Sequence, residues 1–402
     1  MDLFLQFGWG MMKHSRHLVG SWGGGTVVLS PRDLERTQLK NLGQDICGLQ
    51  GGRVLLDPQF YFPRSDHRRL TAHEYWPDNY ETNGFFGGAG IGTMLQSLLD
   101  LNRAVGSYAF ILPGLMATAV GDDWIATLRE VCEGAVALDA DIPMFATIAL
   151  GSDVVRNMEN IQEVLEECED IDIAGAYVLA GHPNGDYFVE DPIWLANLLE
   201  LCAGLRLMGK KVIVGYANHQ LLCLGAAATN TLCSGTWMSV RLFSPDRFQA
   251  QREDETRRRT AWYYYSPLAL SEFERLSLDA AHRQGVLNQM QAPQSYNSTY
   301  AAPLFSGAQP TSVGFGETEA FRHYLQCMHH QTAESSRGTF DETLTYHRQI
   351  LDDAETLIQT LESNGVMSLN RGFGKIIDIV RSALVMHERT RGPVLRRRWA
   401  EL

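Results

Sequence analysis

The sequence lacks the features that mark several common classes of protein. No apolar run approaches the roughly 20 residues that a membrane helix requires, and the apolar start at residues 3–7 has no basic residues before it, so no secretory signal is expected. The net charge of −13 argues against a protein that holds nucleic acid through a generally basic surface. The seven cysteines are odd in number and show no CxxC spacing, which indicates reduced thiols and a cytoplasmic location.

Eight short apolar segments, each followed by a segment of helical length, organise the first 245 residues. They begin near residues 3, 26, 53, 108, 144, 173, 211 and 231. This alternation is typical of a (β/α)8 TIM barrel, whose usual length is about 250 residues. A doubly wound sheet is the alternative, but it normally carries a phosphate-binding glycine turn early in the chain. We therefore predict an α/β fold with a barrel domain over residues 1–245.

The pattern changes after residue 245 to long helical periodicity. The predicted helices are 246–265, 269–290, 317–331, 343–362 and 376–391, and residues 292–316 read as a linker rich in Ala, Pro, Ser and Asn. A mostly helical C-terminal region is therefore predicted over residues 246–402. The basic cluster at 252–259 is interleaved with acidic residues, which favours a solvated helix face. The aromatic run from Trp262 to Tyr265 is interpreted as a packed junction, with stacking on nucleic-acid bases as the alternative.

The stretch 51–63 carries the first candidate functional residue. Val54 to Leu56 is predicted to be a buried strand that ends in the carboxylate of Asp57, and a proline-bounded aromatic loop follows. Barrels place their chemistry at the carboxyl ends of strands, so Asp57 is a candidate catalytic residue; a simple strand-ending turn is the alternative. The long irregular stretch 58–91 is interpreted as a lid or binding loop.

The same rule selects residues at three other strand ends. His182 and His219 follow the sixth and seventh predicted strands, where each is a general base, a hydrogen-bond donor or a structural histidine. Cys233 and Ser234 end the eighth strand and offer a thiol or hydroxyl nucleophile, without a base at a recognisable spacing. No convincing metal-ligand set appears, because the adjacent pair His329-His330 points apart on a helix. No metal and no cofactor is therefore expected.

Four segments of the predicted barrel stand in a distinctive order. They are Leu56-Asp57-Pro58-Gln59-Phe60-Tyr61, Gly151-Ser152 opening a helix with Arg156, the strand 173–181, and Val214-Gly215-Tyr216. In these segments the chain resembles the tRNA-guanine transglycosylase (TGT) superfamily, barrels that exchange a guanine for a 7-deazaguanine base in tRNA or, in some relatives, in DNA. The resemblance spans roughly residues 26–245 and lies more in the order of segments than in identities.

The resemblance implies a purine pocket in which Asp57 is both an acid or base and a ligand of the base. The substrate-binding residues expected with it are Gln59, Tyr61, Gly181, His182, Tyr216 and His219. The chain departs from the family in lacking its CxCxxC…H zinc site and its aspartate nucleophile, which is replaced by Cys233-Ser234-Gly235. Divergent relatives occur in bacterial anti-phage operons, including CBASS-type signalling systems, and the chain resembles such a component.

The function expected from the resemblance is recognition of a guanine or 7-deazaguanine base, free or attached to nucleic acid or protein. Transglycosylase-like base exchange or glycosidic chemistry is the expected activity, with Cys233 or Ser234 as a substitute nucleophile. Two alternatives stay open: a catalytically inactive base-binding partner subunit, and an unrelated TIM-barrel enzyme acting on a flavin or phosphate ester. A homodimer, or a complex with an operon partner, is also left open.

Overall fold

Eight parallel strands curve into a nearly closed barrel. The computed structural model describes residues 1–78, 80–81, 84–249 and 262–402. Its first nine strands are β1 Asp2–Gln6, β2 Gly25–Leu29, β3 Gly52–Leu56, β4 Phe110–Ile111, β5 Met116–Ala117, β6 Met144–Leu150, β7 Gly175–Ala180, β8 Lys211–Val214 and β9 Thr231–Ser234. The short β5 pairs with β6 alone, and the other eight form the barrel wall.

Closure of the sheet distinguishes the barrel from an open doubly wound sheet. Parallel ladders run in the order β3-β2-β1-β9-β8-β7-β6-β4, so the last strand of the barrel pairs with the first. The remaining edge, between β3 and β4, is joined by a bridge from Val54 to Ser107 and by Tyr108 N donating to Val54 O at 3.2 Å. The predicted (β/α)8 barrel is thereby confirmed.

The barrel strands alternate with helices on the outside. These are α1 Met11–Trp22, α2 Arg36–Cys47, α3 Ala89–Val105, α4 Asp122–Val136, α5 Ser152–Arg156, α6 Met158–Asp170 and α7 Pro192–Leu207, and a 3₁₀ segment, His219–Ala227, follows β8. Asp191 caps α7 by accepting from the backbone N–H of Ile193 and Trp194. This helix is apolar on all sides because it is covered on its outer face as well as by the barrel.

Two barrel helices differ from their sequence patterns, one in its start and one in its continuity. Ser30-Pro31 after β2 has the sequence pattern of a helix start, but α2 begins at Arg36 behind a capping box in which Glu35 N donates to Gln38 at 3.0 Å. The hydroxyl of Ser30 instead contacts Asp33 and Gln59. The sequence pattern over 153–168 is typical of one helix, but the structure divides it at Asn157, whose extended backbone ends α5 and whose side chain caps α6.

The C-terminal part consists of a hairpin and five helices within its described residues. They are β10 Tyr263–Ser266, β11 Ser271–Glu274, α8 Arg275–Arg283, α9 Glu317–Glu334, α10 Phe340–Ser363, α11 Ile377–Thr390 and α12 Gly392–Arg398. The predicted helices at 317–331, 343–362 and 376–391 are confirmed. The helix predicted over 246–265 lies partly outside the described residues, together with the basic cluster at 252–259, and its described end is strand β10.

The helix predicted over 269–290 is also wrong at its beginning. β10 and β11 pair antiparallel, and the connection between them places Leu270 at a positive φ of 49°. Three successive tyrosines favour extended backbone, because aromatic residues suit a half-buried strand better than a helix. Helical structure resumes only at Arg275 and stops at Arg283, with a 3₁₀ turn at Leu287–Met290.

Helix α9 occupies the place that the eighth helix has in a (β/α)8 barrel. It packs against α1 and against the two strands that meet there, β1 and β9. Helix α11 packs on α7, and α10 packs on the 3₁₀ segment that replaces a regular seventh helix. One continuous apolar core therefore includes residues of both parts, from Leu3 to Leu395. The domain boundary at residue 245 stays a prediction.

Among the described residues, no helix combines the length and the apolar character needed to span a membrane.

Candidate functional site

Asp57 lies at the carboxyl end of β3, inside the mouth of the barrel. Its side chain is 0% exposed and accepts four hydrogen bonds. Oδ1 accepts from Tyr61 Oη at 2.6 Å and from Gln59 N at 3.0 Å. Oδ2 accepts from Tyr216 Oη at 2.8 Å and from Tyr177 Oη at 3.2 Å. Three phenols from different parts of the chain therefore converge on one carboxylate.

The backbone at this site is held in an uncommon conformation. Gln59 and Tyr216 have φ values of 54°, in the left-handed region that side chains other than glycine rarely adopt. Such residues cost on the order of 1–3 kcal/mol each and cluster at functional sites. The strain aims Gln59 N at Asp57 and directs the Tyr216 hydroxyl into the barrel mouth.

The amide of Gln59 links the carboxylate to the neighbouring strand end. Its Oε1 accepts from Arg32 N at 2.9 Å, which fixes the orientation of the amide. Its Nε2 donates to Ser30 Oγ at 2.9 Å and to Tyr216 Oη at 3.0 Å. Tyr216 therefore accepts from Gln59 while it donates to Asp57, and each member of this chain of hydrogen bonds polarises the next.

Asp57 forms no salt bridge with any residue that the structure describes. Burial raises its pKa above the usual range of an aspartate, and the hydrogen bonds from Tyr61, Tyr216, Gln59 and Tyr177 only partly oppose this effect. Burial and the charge of Asp57 also raise the pKa values of the three tyrosines well above their usual range. The tyrosines therefore remain protonated donors, and the protonated form of the carboxyl group is favoured more than in an aspartate exposed to water.

Gln6, the last residue of β1, adds an amide to the same site. Its Oε1 lies 3.2 Å from Tyr177 Oη, so the single hydroxyl proton of Tyr177 has two acceptors, Gln6 Oε1 and Asp57 Oδ2. The Nε2 of Gln6 is buried and has no acceptor within the described part of the chain. A buried donor without a partner costs about 1–3 kcal/mol, and a bound ligand can remove that cost.

Aromatic rings cover the carboxylate on the solvent side. Phe243 and Phe248, which follow β9, pack against Tyr61 with ring centroids 5.2 and 4.9 Å apart, and against Tyr216 at 5.5 and 5.9 Å. All four rings are buried. Phe243 and Phe248 therefore enclose two of the tyrosines that donate to Asp57.

The cover carries a positive charge at the mouth of the barrel. The guanidinium of Arg247 lies 5.8 Å from the Tyr216 ring, and its Nε and Nη1 find no acceptor among the residues described. Arg32 Nε donates to Arg247 O at 2.9 Å, and Ser65 Oγ donates to Phe248 O at 2.6 Å, so two loops hold the cover in place.

The two predicted nucleophiles do not form a reactive pair with Asp57. Cys233 is buried in the barrel, where burial and the charge of Asp57 raise the pKa of its thiol well above the usual range. A thiolate, the reactive form, is therefore suppressed. Ser234 is the next residue along the strand and faces the opposite way, with its Oγ 3.3 Å from Tyr324 Oη on α9.

Three other predicted pocket residues lie apart from the carboxylate. Gly181 N donates to Leu150 O, and Gly181 O accepts from Trp194 Nε1, so its backbone is already engaged in the fold. Burial lowers the pKa of His182 to about 4, and its Nδ1 lies 2.9 Å from Asp186 O. His219 sits among aromatic rings, and burial lowers its pKa to about 3. Both histidines are therefore neutral at physiological pH.

The residues that sequence reasoning missed are Tyr177, Gln6, Phe243 and Phe248. Tyr177 lies in the middle of β7 and not at its end, so the rule that selects residues at strand ends does not select it. The signal that points to it is a tyrosine, with its polar hydroxyl, at an inward-facing position of an otherwise apolar strand. Phe243 and Phe248 follow the last barrel strand, and no local sequence pattern predicts that they contact the site.

Within the described residues, no group of three or more His, Cys, Asp or Glu side chains is arranged to hold a metal ion. No protein-family model matches the chain, and no significant match to a curated protein is found. The site is therefore interpreted from its own geometry. It is a buried carboxylate surrounded by uncharged hydrogen-bond donors, and it can bind N–H groups and exchange a proton.

Proposed function

We propose that the barrel binds a guanine or 7-deazaguanine base at Asp57, as a divergent relative of the tRNA-guanine transglycosylase superfamily. The observation that carries this proposal is a fully buried carboxylate that has no salt-bridge partner among the described residues, next to a Gln6 amide N–H that has no acceptor among them. A site of this kind gains most from a ligand that supplies N–H donors and one acceptor.

The edge of guanine has that pattern of donors and acceptors. Its ring N–H and exocyclic amino group can donate to the carboxylate of Asp57, and its carbonyl oxygen can accept from Gln6 Nε2. The flat ring fits a pocket whose movable walls are Tyr61, Tyr216 and Phe248, because stacking on aromatic side chains is worth about 1–3 kcal/mol per base. On entry, the base replaces hydroxyl donors that the tyrosines now supply.

The chemistry proposed for the site is proton transfer by Asp57. A raised pKa favours this role, since a general acid or base works best when its pKa approaches the working pH. No covalent step through Cys233 or Ser234 is included, because the thiol is held protonated and the hydroxyl faces away from Asp57. The acceptor, whether nucleic acid or protein, the anti-phage setting and a dimeric or operon-partnered assembly belong to the proposal through the resemblance alone.

A cytoplasmic setting is part of the same proposal. All seven cysteines are unpaired thiols, six of them buried. A reducing compartment is consistent with that chemistry, because secreted proteins of oxidising compartments tend to pair their cysteines.

Calorimetric titration with guanine and 7-cyano-7-deazaguanine tests the proposal. Asp57→Asn and Gln6→Leu should each weaken binding at least tenfold, because each removes a hydrogen-bonding partner from a buried site. Glu167→Gln is the matched control: Glu167 is a buried acid paired with Arg129, outside the barrel mouth, and its loss should leave affinity unchanged. N1-methylguanine, which lacks the ring N–H, should bind poorly. Equal binding by wild type and Asp57→Asn would overturn the assignment.

A further inference from the structure

A second cavity lies between the barrel rim after β9 and the C-terminal part. Four aromatic side chains line it, Trp237, Trp262, Tyr263 and Phe321, together with Arg241, Arg371 and Glu272. Trp237 and Phe321 meet edge to face with centroids 5.1 Å apart, and Trp262 lies 6.3 Å from Trp237. None of the residues that bind Asp57 lines this cavity, so it is separate from the site at the barrel mouth.

An ion cluster forms one wall of the cavity and leaves it with a net positive charge. Glu272 accepts from Arg241 Nη1 at 2.7 Å and from Arg371 Nη1 at 2.6 Å, so two cations share one carboxylate. Burial alone would raise the pKa of Glu272, but the charges of Arg371 and Arg241 outweigh it and lower the pKa to about 2. The carboxylate therefore stays ionised, and one positive charge of the cluster is uncompensated.

Arg371 is the arginine positioned to meet a ligand. Arg241 is fully buried, donates through Nε to Gly235 O, and lies 3.3 Å from the centre of the Tyr324 ring, so it serves the fold. Arg371 keeps part of its side chain exposed and stacks over Tyr263 at 4.2 Å, and among the described residues its guanidinium donates a hydrogen bond to Glu272 alone. A guanidinium in that position presents its planar fork to a carboxylate.

The indole N–H of Trp237 supplies a third, independent feature. The Nε1 atom is buried, and no acceptor reaches it in the part of the chain that the structure describes. A buried tryptophan N–H ordinarily has a partner. Trp237 lines the cavity next to the arginines, so an anion held there provides the missing acceptor.

The size of the cavity limits the ligand. Its volume is about 40 Å³, whereas one water needs roughly 10–15 Å³ on the same measure, so the enclosed part holds about three heavy atoms. A carboxylate has three heavy atoms, and a whole nucleotide is far too large. The aromatic side chains at the opening offer flat faces to whatever the carboxylate is attached to.

We propose that this cavity is a binding site for a small aromatic carboxylate, with its anionic head on Arg371 and Trp237 Nε1 and its ring against Trp262. The head lies beside Arg371, and the ring covers the opening. This site is independent of the proposed base pocket, and either can fail without the other.

Titration of the protein with benzoate, monitored by calorimetry and by tryptophan fluorescence, tests the proposal. Benzamide has the same shape without the charge, acetate has the head without the ring, and phenyl phosphate has a larger head. Benzoate should bind at least tenfold more tightly than each of the three. Equal binding of benzoate and benzamide would remove the role of the arginine, and equal binding of acetate would remove that of the aromatic wall.

Three variants and a control assign the contacts. Arg371→Lys keeps a charge beside Glu272 but loses the planar fork, and it should weaken benzoate at least fivefold. Trp237→Phe removes the N–H together with part of the indole ring, and it should weaken benzoate severalfold, because among the described residues that N–H is the donor left free for an anion. Trp262→Leu should also weaken binding.

Trp9→Leu is the control, since Trp9 is 78% exposed and does not line the cavity. Asp57→Asn should leave benzoate binding unchanged, which separates this site from the base pocket. Wild-type affinity in Trp262→Leu and Arg371→Lys would place the ligand elsewhere and overturn the proposal.

Discussion

At the scale of single residues, the barrel mouth holds a carboxylate in an environment that opposes its charge. Asp57 is buried and receives only neutral donors from the residues that the structure describes, so its ionised form is less stable than in water. Natural sites accept such costs where function requires a group of unusual proton affinity. The hydrogen bonds from three tyrosines limit the cost without cancelling it.

This arrangement predicts a pH-dependent difference in stability between wild type and Asp57→Asn. An aspartate has a pKa of about 3.9 in the unfolded chain, and burial raises the folded value above that. In the window between the two values the folded state holds a proton that the unfolded state has lost, so the contribution of Asp57 to stability falls as pH rises. Urea denaturation between pH 3.5 and 8, in steps of half a unit, measures it.

Relative to Asp57→Asn, wild type should be most stable at the acidic end and lose stability as the pH rises through this window. Glu167→Gln serves as the reference for removing a buried acid that has an arginine partner. A wild type that gains stability over Asp57→Asn with rising pH would show that the folded pKa is lowered and would contradict the electrostatic description.

Individual residues of this site differ in how far the sequence reveals them. Asp57, Gln59, Tyr61 and Tyr216 follow strand ends, where the barrel rule directs attention, and the structure brings them together. His182 and His219 satisfy the same rule, yet both are enclosed by other side chains. The rule specifies the edge of the barrel but not which way a side chain faces, and that depends on loops whose packing is non-local.

At the scale of elements, the strands were predictable and the hairpin was not. Each barrel strand is a short apolar run between glycines or polar residues, a pattern that depends on local sequence alone. A long polar segment precedes the run from Trp262 to Tyr265, and the spacing of the whole stretch also fits a helix. The sequence therefore predicts a helix where the structure has strand β10. The segment forms a strand because it pairs with β11, and a short stretch of sequence does not show which segments pair.

Substitutions at two glycines test the contacts between elements. Gly225, in the 3₁₀ segment after β8, faces the end of α9, where a Cβ would stand 2.0 Å from Ser335 O. Gly225→Ala should therefore destabilise the protein by about 2 kcal/mol or more, as overpacking against backbone does. Gly20→Ala, in α1 with no atom within 4 Å of the added carbon, should be neutral or stabilise by up to about 1 kcal/mol.

Thermal and urea unfolding of the two glycine variants beside wild type provides the measurement. If Gly225→Ala were as stable as Gly20→Ala, the close approach of α9 to the 3₁₀ segment would be wrong, and with it the assignment of α9 as the eighth barrel helix.

At the scale of the whole molecule, the barrel is completed by a helix that comes late in the sequence. The last strand ends at Ser234, but the helix that covers β1 and β9 begins only at Glu317. Residues between them contribute the aromatic cover, the hairpin and the ion cluster around Glu272. The sequence predicts eight strands and a helical tail from local patterns, whereas the docking of that tail on the barrel is a tertiary fact with no local signature.

This architecture predicts that residues 1–245 do not fold alone. Without α9, the buried side chains of Leu325 and Met328 and the ring of Tyr324 no longer cover the barrel wall. Burying each such side chain is worth about 1.5–3 kcal/mol, so losing three removes an amount comparable with the whole stability of a typical domain, about 5–15 kcal/mol. The shortened chain should be insoluble or show no cooperative melt by circular dichroism.

The matched experiment divides the chain without removing α9. Residues 1–249 and 262–402, produced together in one cell, should associate and melt cooperatively, because the covering helices are then supplied in trans. A cooperative melt for residues 1–245 alone would show that the predicted barrel domain is autonomous, and α9 would then be an accessory to it. The expected contrast between the two preparations follows from α9 being the eighth helix of the barrel, since only a part of the barrel itself is indispensable to its folding.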